Sequence, residues 1–224
     1  MNILVFFTKF NPTFLNIGMI GGIFVYLVFC YAIKNKINEE QFIKIVHRLL
    51  VIVTVFYLFY ALILSIGQYY VWSENPISKA LIQEQVNIEN TGIIGKFFNL
   101  IIPNSFNYYI YYVFMKFWFE YLLTIGFGFL FVYFLKFLKK HQERFFENGE
   151  IELGGLCAIL SRWPKSIVFI ILVFVSVVLV SIFRLLVFKD KYTTLGYPFI
   201  LATFITFLIG AYILSITGLD VLKI

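Results

Sequence analysis

Charge is scarce in this chain. Asp, Glu, Lys and Arg make up only 13% of its 224 residues, and 61% are hydrophobic. A large water-soluble domain needs more polar surface than this, so none is expected. Cysteine and histidine are scarcer still, with two of each. Cys30 and Cys157 both sit inside apolar segments, which offers neither a disulfide framework nor a metal-ligand spacing. His47 and His141 are far apart and both lie in basic surroundings. No metal site and no cofactor are therefore expected. Glycine-rich phosphate loops, nucleophile elbows and zinc-binding helical His pairs are absent as well. The longest polar stretch, Ser73 to Lys96, has room for a small lid but not for a domain.

Long apolar runs fill the space that charge leaves. Ser166 to Phe188 is broken only by Arg184, and Tyr197 to Leu219 and Leu49 to Trp72 carry no charge. A hydrocarbon core about 30 Å thick is crossed by roughly 20 apolar residues of helix, and each run reaches that length. Only helices or closed barrels satisfy their backbone in lipid. The expectation is one all-α domain over residues 1–224, a polytopic transmembrane helical bundle with about six spans, whose first partner is the lipid bilayer.

The net charge of +6 is explained by cations at helix ends, and nucleic acid is not an expected partner. Ile17 to Ile33 reads as a retained first span, since neither a strong basic segment before it nor a small-residue cleavage site after it is apparent. Lys34, Lys36, Lys44 and Arg48 follow it and mark a cytoplasmic loop. Lys139 to Glu152, the most charged stretch, is expected on the same side. Tyr69, Tyr70 and Trp72 read as an interfacial aromatic belt. Phe97 to Leu138 is too long for one span. Either one long helix follows Pro103, with Lys116 and Glu120 on one face, or two short spans turn near those residues. Ile151 to Leu160 is apolar but too short to span untilted, and Trp163-Pro164 closes it.

Ionisable residues near membrane depth are costly, so each asks for a reason. Glu150 is the leading candidate, in Glu147-Asn148-Gly149-Glu150-Ile151-Glu152-Leu153. A carboxylate follows a glycine and opens an apolar helix. Gly149 lets another backbone approach closely. Equally, an acidic residue at a helix N-terminus serves as a cap.

This segment, then Arg162-Trp163-Pro164, the span after it, the loop Lys189-Asp190-Lys191 and Gly196-Tyr197-Pro198-Phe199, follow in an order and spacing that resemble the C-terminal half of the type IV prepilin leader peptidases. Upstream, Ile101-Ile102-Pro103-Asn104 is similar to that family's Ile-Pro-Asn step. The resemblance covers about 97–210. It implies a membrane aspartic peptidase architecture, with Glu150 at the position of one catalytic Asp and Gly149, Pro103 and Asn104 as binding elements. It also implies single-span, prepilin-like peptides as partners and the bacterial plasma membrane as the location. The chain departs from the pattern at the catalytic pair. The family's other Asp falls on Lys96, and Glu89 is the nearest upstream carboxylate. An aspartic dyad needs two carboxyl groups sharing a proton. The resemblance therefore implies a degenerate relative acting as a binding or scaffold protein, or a weak endopeptidase with Glu150 as one acid/base group. The rival expectation is a non-enzymatic subunit of a membrane complex, in an organellar inner membrane.

Overall fold

A computed structural model describes residues 12–34, 38–84, 107–141, 146–147, 149–187, 189 and 194–222. It is all-helical: α1 (Pro12–Ala32), α2 (Glu39–Glu74), α3 (Pro76–Gln83), α4 (Tyr108–His141), α5 (Glu150–Ser161), α6 (Lys165–Val187) and α7 (Gly196–Ile216). Four of these, α2, α4, α6 and α7, are long and apolar enough to cross a membrane, and α1 is a shorter apolar helix.

α2 extends past the apolar run that nucleates it. α2 begins at Glu39, ten residues before the charge-free run, so Glu40, Lys44 and Arg48 ride on its first turns. Glu40 and Lys44 form an exposed pair there at 3.9 Å. Of the two readings of the segment before Leu138, the structure takes the continuous helix. α4 passes Lys116 and Glu120 through a π-helical turn at Phe114–Trp118, which absorbs an extra residue without breaking the rod. The segment containing Lys96, Pro103 and Asn104, and Glu89 before it, lies outside the described residues.

The chain forms two compact units whose boundaries fall within α1, α2 and α4. In the first, residues 1–14 and 58–120, the described contacts are largely aromatic. Trp72 meets the rings of Tyr108, Tyr109 and Tyr112 at 5.0 to 6.1 Å between centroids. Ser65 joins the same helices by polar contacts. Its backbone carbonyl accepts the Tyr109 hydroxyl at 2.6 Å, and its Oγ accepts the Trp118 indole N–H at 2.9 Å. α3 starts at an Asn75 cap, whose side chain accepts the Ile77 N–H.

The second unit, residues 15–57 and 121–224, is organised around α5. Eleven of the twelve α5 residues are buried. Small residues make this possible. A Cβ on Gly155 would overlap Val132, one on Gly154 would press on Leu135 and the Phe199 ring, and one on Gly128 of α4 would overlap Ile159. α4, α5 and α7 therefore approach closely along a glycine-lined seam, the usual route to tight helix packing in lipid. Tyr57 stacks on Tyr121 at 5.2 Å and donates its hydroxyl to the Ile159 carbonyl at 3.4 Å. α5 ends where the sequence reading ends it. Arg162 turns out of helical geometry (φ 57°), and the Trp163 N–H is taken up by Thr124 Oγ1 at 3.0 Å.

Candidate functional site at Glu150

Glu150 opens α5 and is completely buried. Gly149 before it adopts φ +85°, in the left-handed region. That conformation turns the chain from the charged 139–152 stretch into the helix. The space beside Gly149 is taken by Phe42 and Ile43, which lie about 3.1 Å from where a Cβ would stand. Close approach at this glycine is thus made by the chain's own α2.

A buried carboxylate needs partners, and Glu150 has three backbone donors. Its Oε2 accepts the N–H of Glu147 at 3.0 Å and of Leu195 at 3.2 Å. Its Oε1 accepts the N–H of Gly196 at 2.7 Å. Leu195 and Gly196 are the first donors of α7, which no earlier turn of that helix can satisfy. The carboxylate therefore caps a helix 45 residues downstream and sits at the positive end of its dipole. Gly196 is required by a second contact. The Tyr31 hydroxyl lies against its Cα, and any Cβ there would overlap it.

Around this clamp lies a shell of aromatic and charged groups. Tyr31 meets Tyr197 edge-on at 5.0 Å and Phe42 at 6.0 Å. The Lys34 ammonium stands 5.5 Å from the centres of both the Tyr31 and Phe42 rings. It pairs with Glu147 Oε2 at 2.5 Å. Arg184, from the last turn of α6, stacks over the Tyr197 ring at 5.9 Å. The two basic stretches expected on one side, after α1 and before α5, do meet here through Lys34 and Glu147.

Of the sequence candidates, Glu150 and Gly149 are in this site together, and Gly196-Tyr197-Pro198-Phe199 joins them. Pro103, Asn104 and Lys96 lie outside the described residues, so their distance from Glu150 is not part of the geometry. Lys34 and Tyr31 were not candidates. Nothing local marks Lys34 as the partner of a glutamate 113 residues away. Among the described residues no cluster of three or more His, Cys, Asp or Glu is arranged to hold a metal ion.

Comparison of the chain with protein-family models, with curated proteins and with solved structures gives no match.

Proposed function

We propose that this is a multi-pass membrane protein, a divergent relative of the prepilin leader peptidases in its C-terminal half. In this reading it acts without catalysis, as a binding or scaffold protein for single-span helices in a bacterial plasma membrane. The four long helices, α1 and the short α5 would be its six membrane helices. One observation carries the reading. The two motif segments that suggested the family, Gly149-Glu150 and Gly196-Tyr197, are in direct hydrogen-bonded contact, and the contact uses the candidate acid as a cap. A carboxylate that holds three backbone N–H groups in a closed core has a structural task. Freeing it to activate water would leave those donors unsatisfied. The nearby Glu147 carboxylate is engaged by Lys34, which disfavours a proton-sharing pair with Glu150.

The test is cleavage of a leader-bearing pilin by membranes containing the wild-type chain or Glu150→Gln. Neither should cleave, while the pilin should still crosslink to the wild-type protein. Wild-type cleavage abolished by Glu150→Gln would show that the carboxylate is catalytic and would refute this reading.

A further inference from the structure

A cavity of about 350 Å³ lies within the second unit between α4, α6 and α7. That is near the lower end of the size range of small-molecule pockets. Five phenylalanine rings line it: Phe131 and Phe134 of α4, Phe174 of α6, Phe199 of α7, and Phe146 ahead of α5. Phe131 and Phe199 are buried and meet edge-on at 6.0 Å, which fixes the inner wall. Phe134 and Phe174 are exposed and leave the cavity open on one side. Among the described residues its one polar lining side chain is His141, the last residue of α4. The His141 Nδ1 lies 3.0 Å from the Phe137 carbonyl. A carbonyl oxygen only accepts, so Nδ1 carries the proton, and the neutral ring presents a lone pair at Nε2. Among the described residues this imidazole makes no second hydrogen bond.

We propose that this cavity binds a membrane-soluble phenol, with the ring among Phe131, Phe174 and Phe199 and the hydroxyl donated to His141 Nε2. Each part of the site matches one part of that ligand. Aromatic side chains hold a flat ring by edge and offset contacts, which a flexible acyl chain does not make. An imidazole acceptor beside an apolar cavity selects a hydroxyl donor. A phospholipid phosphate, which only accepts, finds no donor at that nitrogen. The wall is also held in place before any ligand arrives. Phe199 lies against Gly154 of α5, and Leu195, a further lining residue, donates its N–H to Glu150. The packing that encloses α5 thus preorganises the cavity, which lowers the cost of binding. Free phenols and the reduced head group of a membrane quinone share this chemistry. Such a site is independent of any peptidase ancestry.

The experiment is equilibrium binding of radiolabelled para-hexylphenol to the full chain in lipid nanodiscs, with empty nanodiscs subtracted for partitioning. Binding should saturate. Unlabelled para-hexylanisole, whose methyl ether has no donor, should compete roughly fivefold less well than unlabelled para-hexylphenol, the worth of one neutral hydrogen bond. His141→Phe keeps a ring and removes the acceptor, so the two competitors should become equal. His141 is exposed at a helix end, so this variant tests the hydrogen bond without disturbing the core. Val177→Trp, which fills the cavity, should reduce binding of the labelled probe itself. A short-chain hydroquinone should compete as well, more strongly than para-hexylphenol if the natural ligand is a quinol and less strongly if it is a free phenol. No saturable binding, equal competition by phenol and ether in wild type, a phenol preference that survives in His141→Phe, or undiminished binding to Val177→Trp would each overturn the proposal.

Discussion

α5 and α6 are consecutive apolar helices, and they have opposite surroundings. Eleven of twelve residues of α5 are buried, against five of twenty-three in α6. Hydropathy does not predict which is enclosed, because lipid and protein interior are about equally apolar, and the more apolar helix, α6, is the more exposed. Side-chain size does. α5 carries Gly154, Gly155 and Ala158 where neighbouring helices press in, whereas α6 presents Phe174, Val178, Ile182 and Phe183 outward. A small-residue face is what lets a helix be enclosed by other helices, and a large-residue face is left to lipid. The enclosed helix also has to be fastened at its polar end, which is where Glu150 acts.

The largest way to break this contrast is to remove the fastening. Glu150→Ala leaves the N–H groups of Glu147, Leu195 and Gly196 without their acceptor inside a closed core. The expected destabilisation is on the order of 3–5 kcal/mol, the range for stripping a buried charged partner. It should appear in detergent as lost folded yield or a much lower thermal midpoint. Glu150→Gln keeps one acceptor oxygen and should fall between wild type and Ala. If Glu150→Ala is as stable as wild type, the carboxylate is not a clamp, and its burial needs another explanation.

A smaller effect should separate the two helices directly. Gly155→Leu in α5 drives a side chain into Val132, so overpacking should cost about 1–3 kcal/mol. Val178→Leu in α6 adds a methylene to an outward-facing residue that is 57% exposed, and should be close to neutral. Thermal midpoints of the two variants in one detergent would decide it. Equal midpoints would mean that the glycine seam is dispensable.

The contrast was half legible in the sequence. Long apolar runs, charge-free but for Arg184, marked α2, α6 and α7, because membrane helices are specified locally by length and hydropathy. Glu150 stood out because a carboxylate opening an apolar helix is expensive, and its role as a cap was one of the two readings its position allowed. That it caps α7 and not only its own helix was not legible, since the donors lie 45 residues on and carry no side-chain signature. Gly154-Gly155 was visible, but a pair of glycines does not say which neighbours will press on it. The single helix through Lys116 and Glu120 was one of the two readings the sequence left open, and what the sequence did not show is the π-helical turn within it. A π-helical turn carries a helix past a polar interruption without the break that the charges suggest.

The smallest expected effect concerns the second tie at the polar end of α5, the Lys34–Glu147 pair. It joins the segment after α1 to the segment before α5, as Glu150 joins α5 to α7, but it does so in a different medium. The Glu147 side chain is 51% exposed and so brings solvent to the pair, although the Lys34 side chain is 12% exposed. Attraction between exposed charges is screened by water and salt, and ordering two flexible side chains offsets much of the rest. A double-mutant cycle with Lys34→Gln and Glu147→Gln should therefore give a coupling of about 0.2–1 kcal/mol that shrinks at high salt. The Lys34 ammonium also stands over the Tyr31 and Phe42 rings, so part of the single-mutant cost should persist in salt as a lost cation–π contact. If the coupling instead reached the cost of Glu150→Ala and ignored salt, the pair would belong to the buried core, and the division of labour between the two glutamates would fail.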